Sequence, residues 1–241
     1  GLGIKTYSFT GFEGGMLGKI TDVGINSRIF DQQSAEDSNQ IIASLLALYT
    51  KLKAENNLAR FEAEKNSYIG KIRKSLSRID TGFLRVLSES IAEKYTCEKA
   101  VFVYAPEGGP PGITAAHIAH NLQWDALMHV QNPPPTQVNS GIFQQQYTGV
   151  SNDRKGHFTH ALQLEVSAKK GDLLLLFTRD LACAPAKFAL LEALHKGMDV
   201  FALTTSKTAI GFRNANVLVL DDCAETLFAD ACQMIGHMLG R

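Results

Sequence analysis

Apolar residues along the chain follow two rhythms. Four short runs carry no polar interruption: Ala100–Tyr104 (AVFVY), Leu173–Phe177 (LLLLF), Val200–Leu203 and Val217–Leu220. Such runs are the mark of strands in a parallel sheet covered on both faces. Ala126–Val130 reads as a further strand. Between the runs, apolar positions recur at helical spacing. They predict helices over Phe83–Tyr95, Ile113–Leu122, His157–Val166, Pro185–His195 and Ala224–Leu239. The alternation predicts an α/β fold, a doubly wound, five-stranded parallel sheet in a three-layer αβα arrangement. Ligands of such sheets bind beyond the carboxyl ends of the strands. That singles out the loops after Tyr104, Val130, Phe177 and Leu203.

The first 80 residues read differently. Lys5–Thr10 reads as a buried strand entered from a glycine turn, and Asp22–Phe30 as a second short strand. Ser34 is the expected N-cap of the next helix, with Glu36 and Asp37 in its first turn, where the helix dipole favours anions. Ile41, Ile42, Leu45, Leu46, Tyr49 and Leu52 follow at helical spacing, and Asn56-Asn57 marks a break. Leu58–Ile79 predicts a basic amphipathic helix. The stretch Lys51–Asp80 holds eight basic and four acidic residues; a solvated helix face is the preferred reading and an anion-binding surface the alternative. Gly3–Val23 also aligns without gaps on Gly197–Val217, with Gly3/Gly197, Thr10/Thr204 and Val23/Val217 identical. A strand with no helix before it suggests a chain that starts mid-domain. With the repeat, it makes residues 1–53 the closing half of an incomplete domain and residues 54–241 a complete one.

Composition narrows the function. The 241 residues hold 24 basic and 24 acidic side chains, a formal net charge of zero. That argues against a nucleic-acid or anionic-membrane partner. At 45% hydrophobic and 20% charged residues, the chain is globular in composition. The four cysteines have no CxxC spacing, which excludes a zinc ribbon and a disulfide scaffold and fits a reducing cytoplasm. No apolar run reaches the ~20 residues a membrane span needs. His117/His120 and His157/His160 are each three apart, a spacing able to offer two metal ligands from one helix. Ordinary packed or surface histidines are the preferred reading, so neither a metal nor a cofactor is assigned. Cys183 stands at a helix start, where a thiolate is favoured; a small buried thiol is preferred.

Lys169–Thr205 (KKGDLLLLFTRDLACAPAKFALLEALHKGMDVFALTT) resembles the sugar isomerase (SIS) domain family, in its phosphoheptose isomerase branch. The family pattern there is a Gly-Asp turn, a strand, a Ser/Thr-rich phosphate loop, a helix, Lys-Gly-Met and a strand ending in Thr. Glu107–Leu122 (EGGPPGITAAHIAHNL) resembles the family's first glycine loop and helix. Asn152-Asp153 falls where the branch has an Asn-Asp pair. Thr10–Gly15 (TGFEGG) resembles the late loop of another copy, so the chain looks like a tandem whose first copy is incomplete.

The resemblance implies a phosphosugar ligand held at Gly108, Gly109, Asn152, Asp153, Thr178, Arg179, Thr204 and Thr205. Hydroxyls and backbone N–H groups would be aimed at the phosphate. Departures from the pattern count against catalysis. Pro110-Pro111 stands where the family has a serine after Gly-Gly. The Glu of the isomerases falls at Asn121, and an amide cannot take a proton. The family's His falls near Ala231, about a turn before His237. No catalytic residue is therefore assigned. The expected protein is a degenerate SIS module, a phosphosugar-binding, regulatory or scaffolding oligomer, and the branch includes a non-enzymatic member. The alternatives are an active sedoheptulose 7-phosphate isomerase and a structural partner of an active SIS subunit. Family sites form between subunits, so the resemblance implies a homo-oligomer or hetero-oligomer.

Overall fold

The protein is described by a computed structural model covering residues 3–106, 108–129, 138–139, 158–205, 214–220 and 224–239. The chain divides into two units, Gly1–Gly70 and Lys71–Arg241.

In the first unit, β1 (Tyr7–Thr10) and β2 (Val23–Asn26) pair in parallel, with the short helix α1 (Leu17–Ile20) in their connection. Helix α2 (Gln32–Ala54) follows, then a 3-10 turn (Leu58–Arg60) and α3 (Phe61–Ser77). The cap of α2 is Asp31, not Ser34. Its carboxylate accepts the Ser34 N–H at 2.9 Å. Asp31 takes the capping place because the helix starts at Gln32, three residues earlier than a Ser34 cap would allow. The expectation of a buried first strand is also corrected. Tyr7 is 65% exposed, and within β1 only Ser8 is buried.

The second unit begins within α3 and continues with α4 (Thr81–Thr96), β3 (Val101–Tyr104), α5 (Gly109–His129), β4 (Val138–Asn139) and α6 (Thr159–Ser167). Then come β5 (Leu173–Phe177), α7 (Ala184–His195), β6 (Asp199–Thr204), β7 (Asn216–Val219) and α8 (Glu225–Leu239). The five strands form one parallel sheet in the order β4-β3-β5-β6-β7. Successive side chains of a strand point to opposite faces. Val103, Leu175, Phe177, Phe201 and Leu203 therefore pack with α4, α5 and α8, while Phe102, Tyr104, Leu174, Leu176 and Ala202 pack with α6 and α7. Helices cover both faces, as the αβα reading requires.

Two expectations on this unit change. Residues 126–129 are the last turn of α5, not a strand. No Gly or Pro interrupts Ile113–His129, and helix formers such as Leu, Gln, Ala and Met let the helix run on. The sheet's outer strand is β4 instead. Pro110 and Pro111 belong to the first turn of α5 rather than to a loop. There a helix makes no use of the N–H groups proline lacks.

Buried polar groups tie the elements together. The Asp172 carboxylate, in the turn before β5, accepts the N–H of Ala100 at 3.0 Å and of Lys169 at 2.7 Å. Lys94 of α4 donates to Asp199 at the start of β6 at 2.5 Å. Burial alone would lower the Lys94 pKa, but the Asp199 carboxylate outweighs it and raises it.

Candidate functional site

The carboxyl edge of the central strands gathers four of the expected site residues. Thr178 follows β5, Thr204 ends β6, and Thr205 is next. Thr204 and Thr205 both donate their hydroxyl protons to the carbonyl of Arg179, at 3.1 and 3.0 Å. The Thr178 hydroxyl donates to the Asp180 carbonyl at 3.0 Å and accepts the Asp180 N–H at 3.3 Å. The Asp180 carboxylate accepts the Ala182 N–H at 2.9 Å. Thr178, Arg179, Thr204 and Thr205 are thus brought together, and the three hydroxyls bind the loop to itself. The loop exposes the side chains of Arg179 and Asp180, of which Arg179 is a donor suited to bidentate contact with phosphate. Asn152 and Asp153 lie outside the described residues.

Gly108 and Gly109 make the turn from β3 into α5, both with positive φ (71° and 61°). A side chain on Gly109 would collide with the carboxylate of Glu225, in the first turn of α8. The Glu225 carboxylate therefore lies over the Gly109 backbone, while a Cβ on Gly108 would meet nothing.

Below these loops, α5 and α8 meet along a polar seam. Thr114, His117 and Asn121 lie three and four residues apart on α5. Asp230, Gln233 and His237 repeat the spacing on α8, and all three are buried. Residues so spaced share one helix face. His117 Nε2 and His237 Nε2 are 3.0 Å apart, with the rings nearly perpendicular at 76°. The Asn121 Nδ2 lies 3.1 Å from His117 Nε2. His117 Nε2 thus faces both the His237 ring nitrogen and the Asn121 amide, and the three side chains form one polar cluster between the helices.

His237 is a residue to which sequence reasoning gave no role, since the resemblance sets the family's His near Ala231, about a turn earlier. The structure sets His237 against His117. The signal was in the residues. Helix α8 is buried through almost its whole length, so its few polar positions mark what another helix must satisfy. His120, the expected companion of His117, is exposed and faces away. His157 lies outside the described residues. His160 is buried edge-on to Tyr104 with ring centroids 5.0 Å apart, and its Nε2 has no hydrogen-bond partner. Burial pushes its pKa down to about 4 and pushes Tyr104 up.

No protein-family model and no curated protein matches the chain. Solved structures do. A phosphoheptose isomerase from Francisella tularensis superposes with a TM-score of 0.64 at 17% identity, over 76% of this chain and 95% of its own. The C-terminal domain of glucosamine-fructose-6-phosphate aminotransferase from the same organism gives 0.62 at 16% identity, over 98% of this chain and 63% of its own. The NanR protein of Vibrio vulnificus, complexed with ManNAc-6P, gives 0.52 at 14% identity, over 80% and 64%. The chain has the SIS fold of the phosphoheptose isomerases.

Proposed function

We propose that the protein is a phosphosugar-binding SIS module without aldose–ketose isomerase activity. The fold it shares with phosphoheptose isomerases, and with a protein that holds ManNAc-6P, supports the ligand class. Arg179 and the Gly108-Gly109 turn, both at the carboxyl edge of the sheet, are the groups that would meet the phosphate once the Glu225 side chain swings away from Gly109. The observation that carries the loss of catalysis is Asn121. Isomerisation moves a proton between adjacent carbons and needs a group that takes and returns it. At the seam, the position the resemblance gives to that carboxylate holds an amide, hydrogen-bonded to His117 at 3.1 Å. Binding survives such a change, because it rests on the loops.

Thermal unfolding with sedoheptulose 7-phosphate tests the reading. At 100 times its dissociation constant a ligand stabilises the folded state by roughly 2.7 kcal/mol. The expected result is such a shift, lost in Arg179→Ala, with no ketose-to-aldose turnover. No shift with any phosphosugar would leave a scaffold.

One observation favours the active alternative. The His117–His237 contact sets two imidazoles beside Asn121, the position the resemblance gives to the carboxylate. Robust turnover that disappears in His237→Ala would replace the proposal with a working isomerase.

A further inference from the structure

The loop after β5 turns its polar groups inward. The Thr178 N–H is donated to the Leu203 carbonyl of β6 at 3.1 Å, and the Cys183 N–H to the Asp180 carbonyl at 3.1 Å. The Ala182 N–H goes to the Asp180 carboxylate and the Asp180 N–H to the Thr178 hydroxyl. The Thr178 and Thr204 side chains are fully buried, and Thr205 is half-buried. A hydroxyl closed off from solvent and engaged by backbone is badly placed to meet a ligand.

One peptide unit gathers these bonds, the one between Arg179 and Asp180. Its carbonyl accepts from both Thr204 and Thr205, at 3.1 and 3.0 Å. A carbonyl oxygen has two lone pairs, so both of its acceptor sites are taken. The N–H of the same unit is donated to Thr178 at 3.3 Å. Three hydroxyls, from the end of β6 and the end of β5, thus hold one peptide plane by its two ends. Holding that plane limits rotation about the Arg179 Cα–C bond, and so sets the direction in which its side chain leaves the loop. A loop ordered before the ligand arrives also spares the ligand the entropy of ordering it.

We propose that Thr178, Thr204 and Thr205 are positioning residues for Arg179. Phosphate recognition at this loop then falls to one guanidinium, which the three threonines aim, rather than to their own hydroxyls. The inference rests on the phosphosugar reading above and assigns how that site holds its anion.

Calorimetric titration of the full chain with sedoheptulose 7-phosphate tests it, as a double-mutant cycle. Thr204→Val/Thr205→Val removes both donors to the Arg179 carbonyl at nearly constant shape. Arg179→Lys keeps the charge but gives up the planar fork for a point charge on a flexible stem, which gains little from a fixed origin. The valine pair is expected to weaken binding by about tenfold with Arg179 in place, and by less than about twofold in the Arg179→Lys background. Thr204→Ser/Thr205→Ser keeps both donors and should bind as the parent does. If the valine pair melts the second unit, Thr205→Val alone should show the same dependence on Arg179 with a smaller cost. An equal cost in both backgrounds would mean that the hydroxyls touch the ligand, and no cost in either that they do not aim the arginine. Either result, with the parent protein binding, overturns this inference alone. A parent protein that binds no phosphosugar overturns the phosphosugar reading and this inference with it.

Discussion

His160 shows what one buried side chain can impose. Its ring lies against Tyr104 and its Nε2 is unpaired. An imidazole buried with one nitrogen unpaired is tolerated there only while neutral, and burial holds its pKa at about 4 against an ordinary 6.5. The unfolded chain takes up a proton as pH falls through 6.5, and the folded protein does not until about 4. Stability from this group is therefore full above the unfolded value and is lost as pH falls between the two. The loss is on the order of 3 kcal/mol across that window. Melting temperature measured from pH 7.5 to 4.5 should fall, and His160→Leu should flatten the fall. An unchanged slope in the variant would place the acid sensitivity elsewhere. His160 stood in the sequence only as half of a possible metal pair. Spacing along a helix says which residues share a face, but not whether that face meets a tyrosine or a metal.

Elements were legible where one force decided them. The runs at Val101–Tyr104 and Leu173–Phe177 are apolar at every position, as strands buried on both faces are. The continuation of α5 through residues 126–129 was hidden because a short apolar run serves a helix as well as a strand. The start of α2 was misread because Ser34 and Asp31 are both competent caps, and only one meets the helix axis. The seam between α5 and α8 was unreadable for another reason. It depends on the rotation of two helices about their axes, and Gly236 sets how closely they approach. A side chain there would run into Ile118 of α5. Gly236→Ala is expected to cost about 1–3 kcal/mol by overpacking. It should also separate His237 from His117, one residue further along the helix. Chemical denaturation reads the first effect, and imidazole proton signals in NMR read the second. Ile118→Val in the same chain should recover part of the stability. If it recovers none, contact with Ile118 is not what the glycine avoids.

At the scale of the whole chain, apolar burial is distributed unevenly between the two units. The second holds two core clusters, one on each face of its sheet, with Phe102, Tyr104, Phe177, Phe201 and Phe228 fully buried. In the first, Ala35 and Leu52 are the buried apolar side chains among the described residues, while Ile4, Met16, Ile20 and Phe30 are each more than two-thirds exposed. Hydrophobic stabilisation scales with the apolar area removed from water, so the units cannot share one stability. Unfolding should depart from a single two-state transition. Amides of β1, β2 and α2 should exchange through low-energy openings, and those of β3, β5 and β6 only through opening of the second unit. In urea, a shallow early transition with a small m-value should belong to residues 1–70, and a steeper later one to the rest, since m follows the area exposed. The transitions also test the proposed function. A phosphosugar at the crest of the second sheet should move only the later one. A single transition that the ligand shifts as a whole would mean that the chain folds as one cooperative body.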